Sequence, residues 1–236
     1  MKLRTRVVLQ LAALCFVLSA FGLAADNGYL YIVHGIPGRD IADNLNPGFP
    51  VDILLNGNCL QRGLSFDSTS GPLSFAAGTY DLQISEANTL TPCSGSPVID
   101  SQVTLAAGAS VSAVLAISSG QPTLLSFADD LSPVAPGNAR FVFAHAADAP
   151  ALHVTLTQLY IKNPKTFTVT VNPGSEQAIT VPTDTYQVQV VVSGGTTVLT
   201  SEQIALPDQS ATFTYAAGQE ANNSVGLINR TVRDVF

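Results

Sequence analysis

The sequence predicts an all-β protein, two tandem immunoglobulin-like β-sandwich domains behind an N-terminal signal peptide. Three observations predict it. The first 25 residues differ in kind from everything after them, four apolar segments recur in the same order in each half, and those segments alternate with period two between turn clusters.

The leader comes first. Lys2, Arg4 and Arg6 precede an apolar run from Val7 to Ala20 broken only by Gln10 and Ser19, and small residues follow at Gly22, Ala24 and Ala25. A basic start, a short apolar core and small residues at its end mark a secretory signal peptide, with cleavage expected after Ala24 or Ala25. An uncleaved anchor is the competing reading, because Val7 to Ala25 can just reach across a bilayer. No later stretch is apolar for long enough to span as a helix, so no membrane insertion is expected after signal removal. The expected location is secreted, periplasmic or cell-surface.

The repeat is read segment by segment. Leu30-Tyr31-Ile32-Val33-His34 resembles Phe141-Val142-Phe143-Ala144-His145, and Val51 to Leu55 has its counterpart in Leu152 to Leu156. Gly78 to Ile84 lies against Asp184 to Val190, and Gln102 to Leu105 against Gln203 to Leu206. Four matches in one order argue for an internal repeat. Changes of offset place insertions after His34 and around Cys93 in the first copy, and around Lys162 to Lys165 in the second; insertions belong in loops. Tyr80, Leu82 and Ile84 point one way and Asp81 and Gln83 the other, a pattern repeated by Tyr186, Val188 and Val190. About seven strands per copy are expected. The Pro/Gly-rich segment Ser132 to Asn138 reads as a boundary. The expected domains are 26–131 and 139–236, with 132–138 as linker, folding as separate units.

The segment His145-Ala146-Ala147-Asp148-Ala149-Pro150-Ala151-Leu152-His153-Val154 resembles the opening of a bacterial extracytoplasmic family known as domain of unknown function 4397. Val51-Asp52-Ile53-Leu54-Leu55-Asn56-Gly57 resembles the second half of that opening, and Leu124 to Leu131 its closing element. The resemblance implies an immunoglobulin-like sandwich and brings no catalytic residues. Two departures stand out: Pro37 takes the place in the first copy that Asp148 holds in the second, and His153 replaces the usual Asp.

Charge and cysteine content exclude several functions. The leader carries three of the ten basic residues and no acidic one, leaving 7 basic against 17 acidic residues, formally −10. No basic cluster exists, so nucleic acid is not an expected partner. Cys15 belongs to the leader, and Cys59 and Cys93 remain; in an oxidising compartment they are expected to pair as a structural disulfide.

The candidate site residues are few. His34 and His145 each end a first strand, as turn clamps that hydrogen-bond the backbone or as ligand contacts. Asp148, three residues after His145, invites a His–Asp catalytic reading, but no Gly-x-Ser-x-Gly elbow supplies a nucleophile. Asp129 and Asp130 read as a strand-end turn, since adjacent residues of a strand face opposite ways. Asp40 and Asp43, with Asn44 and Asn46, form an oxygen-rich loop that is a weak calcium candidate without EF-hand spacing. No pattern requires a cofactor. What remains is an exported, non-catalytic module for an unidentified extracellular or cell-envelope ligand. The alternatives are a secreted hydrolase using His145 and Asp148, and a subunit of an extracellular assembly that recruits strands at sheet edges.

Overall fold

Alternating apolar side chains with turn residues between them produce sixteen strands in the computed structural model, which describes residues 26–233. The leader, and with it the export reading, lies outside the described residues. The first eight strands are β1 (Asn27–His34), β2 (Val51–Leu55), β3 (Asn58–Leu64), β4 (Ser68–Ala76), β5 (Gly78–Glu86), β6 (Ile99–Leu105), β7 (Ser110–Ser118) and β8 (Gln121–Asp129). The second eight are β9 (Asn138–His145), β10 (Leu152–Gln158), β11 (Thr166–Val171), β12 (Glu176–Pro182), β13 (Asp184–Val192), β14 (Val198–Leu206), β15 (Ala211–Ala217) and β16 (Gly226–Val232). β9 begins at Asn138, the last residue of the expected linker. No α-helix occurs among the described residues, and none is long and apolar enough to cross a membrane.

Each half is a sandwich of two four-stranded sheets. The first half has the orders β4-β1-β7-β8 and β3-β2-β5-β6, and the second β12-β9-β15-β16 and β11-β10-β13-β14. Adding eight to every strand number of the first half gives the second. The parallel pair also recurs, as β1 with β7 and β9 with β15. Eight strands stand in each half where about seven were expected. An edge strand such as β4, polar and carrying Gly71 and Pro72, gives little apolar signal, yet an edge tolerates proline because only one side of it pairs.

Three apolar cores hold the molecule. Leu30, Ile32, Ile53, Leu82, Ile84 and Leu115 fill the first sandwich; Phe141, Phe143, Val154, Leu156, Tyr186 and Val188 fill the second. The third lies between the halves, where Val33, Val114, Ala116 and Phe127 meet Val142, Ala144, Phe213 and Tyr215. β1 and β9 therefore bury both faces: Ile32 and Phe143 point into their own sandwich, Val33 and Ala144 into the seam. Near-continuous burial along both strands follows.

Each half also carries a tyrosine corner. Tyr80 Oη donates to the Ala76 carbonyl at 2.6 Å, and Tyr186 Oη to the Pro182 carbonyl at 2.7 Å.

Candidate functional site

The two histidines end equivalent strands and make equivalent bonds. His34 is fully buried; its Nε2 lies 2.7 Å from the Phe49 carbonyl, and its Nδ1 accepts from the Ile36 amide at 3.2 Å. Because Nδ1 accepts, the proton sits on Nε2, and the ring is neutral. Burial pushes its pKa down to about 4, with the bond to Phe49 opposing. His145, also fully buried, places Nε2 2.8 Å from the Pro150 carbonyl. Phe49 stands two residues before β2 and Pro150 two residues before β10, so each histidine ties its strand end to the same point of the returning chain. The copies differ at Nδ1, which has no partner in His145. Burial lowers the His145 pKa as well.

Asp148 does not hydrogen-bond His145 among the described residues. Its carboxylate reaches the first half instead, accepting from the Ser119 amide at 3.1 Å and the Gly120 amide at 2.9 Å, both in the β7–β8 turn, and from Gln219 Nε2 at 3.2 Å. Burial opposes its ionisation, but the Gly120 amide, Gln219 and the Ser119 amide together hold the carboxyl below the usual range. Asp40 makes the reciprocal contact. From the β1–β2 loop it accepts from Asn222 Nδ2 at 3.0 Å and Ser224 Oγ at 2.6 Å in the β15–β16 turn, and Arg39 donates to the Asn223 carbonyl. Each half thus sends an acidic loop onto the other half's turn. Asp43 is exposed, and no group of three or more His, Cys, Asp or Glu side chains converges among the described residues.

Beside the Asp148 loop lies a cleft of about 290 Å³, lined by Ile117, Ser118, Leu125, Ala147, Asp148 and Gly174. Its one carboxylate is the Asp148 group already held by amides.

A buried ion pair crosses the seam. Arg230 Nη2 lies 2.8 Å from Asp129 Oδ1, and the guanidinium stacks 3.7 Å from the Tyr31 ring centroid and 4.2 Å from that of Phe213. Ser110 and Ser112 each donate to Asp129 at 2.7 Å, and Tyr215 Oη donates to Ser112 Oγ at 2.7 Å. Asp129 does stand at a strand end, as the last residue of β8, but it is buried in the seam rather than part of an exposed turn, while Asp130 faces solvent. Asp130 pairs with Arg140 at 3.4 Å. The signal for the buried pair in the sequence is Arg230 itself, which shares the buried face of its strand with Ile228 while Asn229 points to solvent.

Cys59 and Cys93 are joined by a disulfide. The bond pins the insertion between β5 and β6, whose amides at Asn88 and Cys93 donate to the buried carboxylate of Asp52. A groove of about 520 Å³ runs along this insertion between Glu86, Asn88, Leu90 and Val98.

No curated protein matches the chain. Among solved structures, the Bacillus anthracis TIE protein aligns at 10% identity and a TM-score of 0.28, covering 82% of this chain and 34% of its own, so this chain spans about a third of it. A "putative cell adhesion protein" from Bacteroides uniformis aligns at 11% identity, TM-score 0.28, covering 88% of this chain and 98% of its own. Another so described, from Bacteroides ovatus, gives 8%, 0.27, 87% and 97%. All three TM-scores are too low to carry an assignment. The family model described as "Domain of unknown function (DUF4397)" matches residues 28–155, more than half of the chain, and the protein belongs to that family.

Proposed function

We propose that this is an exported, non-catalytic β-sandwich protein that works by binding at the cell surface or in the envelope. One observation carries the reading. The polar side chains best suited to chemistry are committed to holding the fold: His34 and His145 to backbone carbonyls, Asp148 to two backbone amides of the other half, and Asp129 to Arg230. A hydrolase using His145 and Asp148 needs the carboxylate to orient the imidazole and the imidazole to meet a nucleophile. Here each faces a different partner. The histidines are turn clamps on this reading, and the basic leader supports export.

The experiment is activity profiling of the exported protein with ester, glycoside and peptide substrates, with fractionation of the producing cells. No turnover, and protein outside the cytoplasm, is the expected result. Turnover lost on Asp148→Asn would replace this reading with the hydrolase.

A further inference from the structure

The two outer sheets, equivalent in topology, differ in what they show to solvent. In the first half, the outward face of β3-β2-β5-β6 carries Asp52, Asp81 and Asp100. The repeat places His153, Gln187 and Ser201 at those positions in β11-β10-β13-β14. All three acids have become neutral. The first face is also partly covered, because the disulfide-pinned insertion lies against Ser85 and leaves Asp52 only 2% exposed. The second half has five residues, 193–197, where that insertion stands, and its face is bare.

Register aligns the bare face in rows. One row runs Thr168, Thr155, Gln189, Ser201 across the four strands, and the next Thr166, Thr157, Gln187, Gln203. A third runs Thr170, His153, Val191, Val198, with Val198 exposed. No carboxylate, lysine or arginine lies in these rows; Glu202 turns the other way, to Asn229 Nδ2. The side chains are ordered by one another: Gln187 Nε2 donates to Ser201 Oγ at 2.8 Å, and His153 Nδ1 lies 3.2 Å from Thr170 Oγ1. At the rim stands Tyr160, 85% exposed, its Oη donating to Gln203 Oε1 at 3.4 Å.

We propose that this face docks a neutral, hydroxyl-rich polysaccharide, with Tyr160 as the aromatic platform at its edge. The proposal rests on the non-catalytic binding reading above and names its partner class. Ordered hydroxyls and amides offer donors and acceptors to sugar hydroxyls at little entropic cost, since β-branched threonine has few rotamers to lose. An anionic polymer meets an acidic protein and no cation within the rows. A protein partner with an apolar interface centre would find only Val191 and Val198, at one end of the third row, while the first two rows are polar throughout. Single-site affinity is low, because water competes for every hydrogen bond, and a repeating polymer compensates by multivalency.

Affinity electrophoresis of the leaderless protein tests this in gels cast with laminarin, galactomannan, xyloglucan or dextran, and with alginate as the anionic comparison. Retardation is expected in at least one neutral polymer, weakened about tenfold by Tyr160→Ala. Gln187→Asp and Ser201→Asp, which restore the acids of the first half, should weaken it as well. Gln102→Ala on the first face should leave it unchanged. Retardation in alginate alone, in none of the gels, or equal in all variants overturns the proposal and leaves the non-catalytic reading standing. Release of reducing ends would instead overturn the non-catalytic reading and leave the docking face intact.

Discussion

Asp129 and Arg230 sit on different sandwiches and meet at 2.8 Å in the buried seam, each 8–9% exposed. An ion pair removed from water is stable only while both members are present, and loss of one strands the other. Arg230→Met, or Asp129→Leu, should therefore cost about 3–5 kcal/mol. Asp129→Leu with Arg230→Met should cost less than either single change, since no charge is then left buried. Thermal unfolding of the four proteins provides the cycle, and additive losses would contradict the coupling. The shared core alters the expectation of separate folding units: the described halves bury apolar surface against each other, so we propose that they unfold as one coupled pair.

The disulfide acts on one loop. Its sequence separation is 34 residues, and closing such a loop in the unfolded chain contributes about 3–4 kcal/mol in the chain-entropy model. Cys59→Ser with Cys93→Ser should lower the melting temperature. Amide exchange should accelerate at Asn88 and Cys93, whose bonds to Asp52 depend on the pinned insertion, while β10 and β13 keep their protection. Uniform acceleration over both halves would show that the bond stabilises more than its own loop.

Acid stability has opposing contributors, with the buried histidines on one side and Glu176 on the other. The unfolded chain protonates His34 near the ordinary value of 6.5, whereas the folded chain resists until about 4, so acidification across that window destabilises. Glu176, the first residue of β12, runs the other way. Burial, and then the nearby carboxylates of Asp129 and Asp130, raise it from 4.5 to about 7, and its buried Oε2 has no partner. The folded chain holds that proton longer, so this contribution is present below pH 4.5 and lost as pH rises through 7. Glu176→Gln should stabilise the protein at pH 8 and steepen the acid loss left to the buried histidines. Denaturation midpoints from pH 4 to 8 test it; a curve parallel to that of the wild type would contradict the assignment.

The fold was legible because burial writes itself into sequence twice. Tyr80-x-Leu82-x-Ile84 and Tyr186-x-Val188-x-Val190 both record an inner sheet face, and both histidines record a strand end. The cysteine pair was legible by elimination. The seam was not, because its partners come from both halves: nothing near Asp148 announces the amides of Ser119 and Gly120, and nothing near Asp129 announces Arg230. Even a surface acid such as Asp40 reaches across the seam, to Asn222 and Ser224 of the other half.

The central claim is that the chemically suggestive residues hold the fold and do no chemistry, and paired measurements on His34 and His145 test it most directly. His34→Ala and His145→Ala are each expected to lower stability by about 1–2 kcal/mol, the cost of leaving a buried carbonyl without its partner. The larger effect is expected at His34, whose two ring nitrogens are both engaged. Neither change should abolish a specific activity. Unchanged melting temperatures in both variants, with a hydrolytic activity of the wild type that His145→Ala removes, would contradict the account.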